Sequence, residues 1–319
     1  MMLTIGFIYT LTQCVSFYCR LDNISAADGV SVYMKRLLLT FVVFWTTAAA
    51  AQSLCISELL YQPRSGEAEY VELYNTTSMP VNLKDYHIVR WVGDTLGKHY
   101  TLPDYEVAPH DYVVLTKDAS SVVANYQVKY VSKLVECSLP AYPNDGGSVV
   151  LSTLDSVPVE RFDYRPDMHS PMLHSKSGVA LERRGFDRPA NEASNWFSAS
   201  SVAGYGTPGY ENSQSAEWLV AETVFELSSD IVSPDGDGYQ DVLLIEYNME
   251  RADLMADAAV YNAAGNRVAQ LLNAALLGTH GTVVWDAKGL PRGRYVVQIV
   301  IYDRSGTRQA LRRTVAVVY

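Results

Sequence analysis

"CISELLYQPRSGEAEYVELYN", Cys55 to Asn75, decides the fold class of this chain. It holds two short runs, "CISELLY" and "EYVELYN", separated by Pro63, Ser65 and Gly66, residues that favour turns. In a strand successive side chains point to opposite faces, so Val71 and Leu73 are expected to face a core and Glu72 to face water. The neighbouring acids Glu67 and Glu69 read the same way, as the wet side of a strand. "DYVVLTK" and "GGSVVLS" continue the pattern, and no long 3.6-residue periodicity interrupts it. Strands at this spacing predict a β-sandwich.

Toward the N-terminus the texture changes. From Met34, Lys35 and Arg36 give a short positive region, Leu37 to Trp45 an apolar run, and Ala49-Ala50-Ala51 a cleavage site of the A-x-A kind. These are the parts of a secretory signal, in order, and the apolar run is far short of the roughly 20 residues a membrane-spanning helix needs. The expectation is a signal peptide over 34–51, cleaved after Ala51, with translation starting at Met34. Residues 1–33 then form a mis-assigned extension, since no basic residue precedes their apolar run and Arg20 follows it. Leu54 occupies the place where lipoprotein processing at Cys55 wants a small residue.

Toward the C-terminus, the stretch from Gly204 to Trp218, "GYGTPGYENSQSAEW", loses the strand pattern, and a domain boundary is expected there. A first domain over 52–212, a linker over 213–222 and a second domain over 223–319 follow. In the second, "DVLLIEYNM", "GTVVW", "YVVQIVIYD" and "RRTVAVVY" are strands, and "YNAAGNRV" is a hairpin whose Gly265-Asn266 tolerates positive φ. "YVVQIVIYD" is apolar on both faces, as a central strand would be.

The chain carries 25 basic against 35 acidic residues, a net charge of −10. Phosphate neutralisation needs cationic surface, so nucleic acid is excluded as a partner. Beyond the signal segment the cysteines are Cys55 and Cys137. In an oxidising compartment they are a candidate disulfide; two separate buried thiols are the alternative.

The first domain resembles the bacterial lamin-tail domain family, through "ISELLYQP", "GEAEYVELYN", "VNLKDYHI", "APHDYVVLTKD", "LPAYPNDGGSVVLS" and "NWFSASSVAGYGTPGYENSQ". "RFDYRPDMHSPMLHSKSGVALERR" resembles the loop-plus-strand of the variant found in exported proteins of Bacteroidota. The second domain resembles the flagellar-hook-capping (FlgD-like) Ig-like domain, through "FELSSDIVSPDGDGYQDVLLIEYNM", "AAVYNAAGNRVAQLL" and "VVWDAKGLPRGRYVVQIVIYD". The same features are similar to C-terminal sorting domains of type IX secretion cargo, although "RRTVAVVY" lacks their terminal pattern. Both resemblances imply non-catalytic modules and an all-β chain of two Ig-like sandwiches in tandem.

In "SPDGDGYQD", Asp235, Asp237 and Asp241 are candidate calcium ligands, as oxygen-rich loops of this spacing suit a hard cation. Tyr239 and Gln240 occupy the ligand and glycine places of an EF-hand, and Glu246 lies in a strand pattern. The alternative is a rigid turn in which the Asp side chains cap backbone N–H groups and Gly236 and Gly238 allow positive φ. His169 and His174, near Asp163 and Asp167, bring ligand chemistry to one loop, but their spacing fits neither one helix face nor one strand face, and Pro171 lies between them. No G-x-S-x-G turn and no cysteine with an evident histidine partner occurs. Trp91, Trp196, Trp218 and Trp285 are expected in packing rather than in a sugar-binding platform.

The function expected from these readings is non-enzymatic: an exported interaction or scaffold protein, binding a protein partner in the cell envelope or at the cell surface. It would reside in the periplasm, on the outer-membrane surface or outside the cell, without a transmembrane segment. The rival readings are a type IX secretion cargo or surface adhesin carrying a sorting domain, and an auxiliary module of a hydrolase acting through the loop from Asp163 to His174.

Overall fold

The computed structural model describes residues 53–319; the expected signal segment over 34–51 and the expected extension over 1–33 lie outside the described residues. The chain is all-β, with the short helix α1 (Ala119–Asn125) as its α-helix among the described residues. In the first half the strands are β1 (Leu54–Leu60), β2 (Tyr70–Asn75), β3 (Val81–Asn82), β4 (Tyr86–Val89), β5 (Trp91–Val92), β6 (Thr95–Leu96) and β7 (Tyr100–Thr101). They continue as β8 (Glu106–Val107), β9 (Tyr112–Thr116), β10 (Leu134–Glu136), β11 (Gly147–Thr153), β12 (Pro158–Tyr164), β13 (Leu181–Arg183) and β14 (Trp196–Ser198). The second half has β15 (Val224–Leu227), β16 (Ile231–Val232), β17 (Val242–Asn248), β18 (Met255–Asn262), β19 (Arg267–Leu276), β20 (His280–Asp286), β21 (Gly293–Tyr302) and β22 (Arg308–Val317).

The first sandwich packs a six-stranded sheet, ordered β10-β9-β2-β1-β13-β14, on a four-stranded sheet ordered β12-β11-β4-β7. Alternation works as expected on the inner face, where Val71, Leu73, Val113 and Leu115 join Val149, Leu151 and Phe162 from the other sheet. Phe162 and Trp196 stack with ring centroids 3.6 Å apart at the centre of this core. One buried ion pair ties the sheets together: Arg183 on β13 donates to Glu160 on β12 at 2.7 Å and to the Ile56 carbonyl at 3.1 Å.

The second sandwich packs sheet β15-β17-β20 on sheet β16-β22-β21-β18-β19. Its core gathers Leu243, Ile245, Tyr247, Val260, Trp285, Val297 and Ile299. β21 lies between β18 and β22, the central place its apolar sequence implies. The β18–β19 turn has Gly265 at φ +80°, and the Asn262 side chain accepts from the Ala264 and Asn266 N–H groups. No helix among the described residues is long and apolar enough to cross a membrane.

Two expectations are corrected. Glu72 does not face water: it is fully buried, because the outer face of the six-stranded sheet carries a third layer. That layer joins Leu60, Tyr70 and Val114 of the sheet to Val122 of α1 and to Tyr126 at its C-terminal cap, with Ala199 after β14. Cys55 and Cys137 are both free thiols. Cys55 lies on β1 and Cys137 follows β10, with β2 and β9 between them. At roughly 4.8 Å per strand this separates them by about 14 Å, twice the Cα reach of a disulfide. Burial pushes the Cys55 thiol up to about 12 and that of Cys137 to about 11, so both stay protonated and inert.

Trp196→Ala removes the partner that Phe162 stacks on and leaves a cavity at the centre of the first core. It is expected to lower stability by about 3–5 kcal/mol, read from urea unfolding.

Candidate functional site

β1 contains a bulge, a register shift between Ile56 and Glu58. Before it Leu54 and Ile56 point into the main core; after it Leu59 and Tyr61 do, so the phase of the strand changes by one residue. The change turns Glu58 to the outer face of the sheet. There Glu58 lies directly opposite Glu72 on β2 and Glu182 on β13, three carboxylates in a row across neighbouring strands. All three are fully buried. Like charges directly opposite on a sheet repel, and burial without a cation disfavours ionisation further.

What buries them is a strap over residues 200–215. Thr207 N–H donates to both oxygens of Glu58 at 3.1 and 3.2 Å, Gly209 N–H to Glu72 at 2.7 Å, and Gln214 N–H to Glu182 at 2.9 Å. Ser213 Oγ donates to Glu182 at 2.7 Å, and Tyr70 Oη to Glu58 at 2.6 Å. Asn212 Nδ2 spans the bulge, donating to the Ser57 and Arg183 carbonyls. Gly206 allows the approach: a Cβ there would stand 2.5 Å from the Tyr70 hydroxyl oxygen. Burial, then the charge of Glu182, pushes the Glu58 carboxyl up to about 8; burial raises Glu182 to about 7 and Glu72 well above the usual range.

The strap's other side holds the second sandwich. Ser201 N–H and Oγ both donate to the Leu276 carbonyl at 2.9 Å, and Gln214 Nε2 donates to the Leu277 carbonyl at 3.1 Å. Thr279 donates through N–H to the Ser213 carbonyl at 2.8 Å and through its hydroxyl to the Ser215 carbonyl at 2.6 Å. The stretch that reads in sequence as a boundary is thus a buried joint.

The expected site residues fall elsewhere. Asp235, Asp237 and Asp241 come together on the β16–β17 turn, with one oxygen from each within 4.8 Å of the others. Asp241 accepts from Gly236 N–H at 2.6 Å and Gly238 N–H at 2.8 Å; Asp235 and Asp237 accept from the N–H groups two residues on. Gly236 and Gly238 take φ of +83° and +89°. These are the contacts of the capped turn. His169 is buried, with Nδ1 on Ser198 Oγ at 2.9 Å, and burial pushes it down to about 3, so it is neutral. Asp163 and Asp167 pair with Arg161 and Arg165. His174 lines a separate open cleft of about 300 Å³ with Arg64 and Tyr205. The histidines therefore form no shared metal centre among the described residues. Of the tryptophans, Trp196 and Trp285 are buried, Trp91 stacks under Arg161, and Trp218 is exposed against His280.

The buried row was missed in the sequence because alternation alone assigns Glu72 to solvent. The available signal was the glutamate in each of "ISELL", "YVELY" and "ALERR", together with a strap segment rich in hydrogen-bond donors.

Comparison with known proteins matches part of the first sandwich. Residues 47–164 match the family model of the Lamin Tail Domain. No curated protein matches the chain. Among solved structures, dimeric latent PorU from Porphyromonas gingivalis aligns at 10% identity, covering 83% of this chain and 20% of its own, with a TM-score of 0.24. PorZ, a bacterial surface component of the type-IX secretion system of the same organism, aligns at 13% identity over 82% of this chain and 30% of its own, TM-score 0.24. The exo-chitosanase CsxA of Amycolatopsis orientalis aligns at 13% identity over 82% of this chain and 26% of its own, TM-score 0.21. The chain thus spans a third or less of the length of each of these structures.

Asp241→Ala removes both acceptors that close the β16–β17 turn. Unfolding in chelator-containing buffer, where hydrogen bonding alone is read, is expected to show a loss of about 1 kcal/mol.

Proposed function

We propose that the chain is an exported, non-enzymatic interaction module of the cell envelope, its first sandwich of lamin-tail type and its second of FlgD-like type. The observation that carries this reading is the strap. It joins two sandwiches into one body while the sheet β15-β17-β20 keeps an open outer face, with Val224, Val242 and Val284 exposed along it. β15 and β20 are edge strands, whose unpaired N–H and C=O groups suit a partner that adds a strand. Two joined sandwiches with a free sheet edge suit a scaffold better than a catalyst, and the buried His169–Ser198 pair lacks access for a substrate.

The test is fractionation of native cells with mass spectrometry of both termini. An N-terminus at Gln52 with an intact Tyr319 in the envelope fraction is expected. A trimmed C-terminus outside the cell would instead make the chain a type IX cargo or adhesin, the second sandwich being its sorting domain. Hydrolytic turnover abolished by His169→Ala or His174→Ala would overturn the non-enzymatic reading in favour of a hydrolase or its auxiliary module. The proximity of three carboxylate oxygens on the β16–β17 turn favours one addition to this reading, a calcium ion held by Asp235, Asp237 and Asp241. Its test is a melting temperature that falls on chelation in the natural protein and not in Asp237→Asn.

A further inference from the structure

Thr207 Oγ1 lies 3.0 Å from Glu58 Oε2, 2.9 Å from Glu182 Oε1 and 3.3 Å from Asn212 Oδ1. A hydroxyl has one proton, and here it faces three acceptors. Asn212 Oδ1 has a second donor in Ser57 Oγ at 3.4 Å, and Glu58 Oε2 shares the Thr207 N–H. Glu182 Oε1 has Thr207 as its partner, so if the hydroxyl proton points to Glu58, a carboxylate oxygen is left buried against a lone pair. One additional proton resolves the set around Thr207. Placed on Glu182 Oε1 it donates to Thr207 Oγ1, whose own proton then goes to Glu58 Oε2; placed on Glu58 it runs the chain the other way.

We propose that the strap is a proton-held clasp: a proton shared by Glu58 and Glu182 through Thr207 keeps the strap seated, and its loss at alkaline pH loosens the join between the two sandwiches. The link to the join is short in sequence, since Ser213 holds Glu182 with its side chain and Thr279 with its carbonyl. Charges around the pair favour keeping the proton. Glu72 on β2, itself raised well above the usual range by burial, brings no positive charge to the pair, and Tyr70, Tyr126 and Tyr210 supply no cation from the other packed elements. Arg183, next to Glu182 on β13, is taken by Glu160, and Lys133, which donates to the Gly209 carbonyl, is taken by Asp111. A cation shared by the three glutamates is the less favoured occupant: among the described residues, the carboxylates close enough together to hold an ion are Asp235, Asp237 and Asp241.

The sign follows from linkage. Carboxyls raised above 4.5 in the folded state, to about 7 and about 8, bind more protons folded than unfolded across that interval. Stability from the clasp is therefore whole below about pH 4.5 and declines as pH rises through about 8.

The experiment is hydrogen exchange on the mature chain near pH 6 and near pH 9, expressed as protection factors so that intrinsic rates cancel, with Glu182→Gln in parallel. A glutamine keeps the shape and donates to Thr207 at every pH. In the natural protein the protection of the Ser201 and Thr279 amides is expected to fall roughly tenfold or more at the higher pH, with the β18–β21 amides changing less; in E182Q the fall should vanish. Equal protection at both pH values, a uniform loss across both sandwiches, or the same fall in E182Q overturns the clasp. Should E182Q fail to fold, carbon NMR of glutamate carboxyls in the natural protein decides. A carboxyl assigned to Glu58 or Glu182 that titrates above about pH 6.5 upholds the shared proton, and titration of both below that overturns it, whatever Glu72 does.

Discussion

Three glutamates side by side on a buried sheet face are a contradiction that the rest of this structure is arranged to resolve. Glu58, Glu72 and Glu182 repel one another and have no basic partner, yet each accepts a backbone N–H from one continuous segment. Take that segment away and the face reverts to a charged surface needing water. Put it in place and the carboxyls become the anchor points of a layer with almost no regular secondary structure. The strap in turn bonds to the second sandwich through Ser201, Gln214 and the Ser213 and Ser215 carbonyls, so the same segment that covers the glutamates also joins the two halves.

Sequence periodicity was a good guide wherever one side of a strand met a core and the other met solvent. The all-β class, the alternating inner residues of β2 and the central position of β21 were legible for that reason. It failed at β1 and β2 on two counts. A bulge shifts the phase of β1 by one residue, and nothing in "CISELL" marks where the extra residue is absorbed. The third layer then reverses the meaning of a polar position, so Glu72 marks burial where alternation alone implies exposure. Composition marks residues 204–218 as a boundary but not its character, because glycine, serine and asparagine are as suited to a hydrogen-bonded joint as to a loose linker.

The acidic turn and the cysteines show the same limit in different ways. Asp235, Asp237 and Asp241 do converge, as their spacing implies, and their oxygens cap N–H groups of their own turn. Pairing of Cys55 with Cys137 depends on strand order, which spacing along the chain does not contain; two intervening strands separate them. The first sandwich is packed instead around its stacked aromatic core, with the Arg183–Glu160 pair satisfying the charges buried between the sheets.

The strap also has a consequence for the order of assembly. Glu58 and Thr207 are 149 residues apart in sequence, among the longest-range hydrogen bonds in the fold. Contacts of such separation form late, because the loop they close is large. A chain emerging from its N-terminus presents β1 and β2 well before residue 207 exists to cover them. A solvated glutamate has an ordinary carboxylate pKa, so until the cover arrives Glu58 and Glu72 would carry charge, which disfavours adhesion of that face to other chains. The residues that make the finished face costly to bury are thus what keeps it clean until its cover arrives.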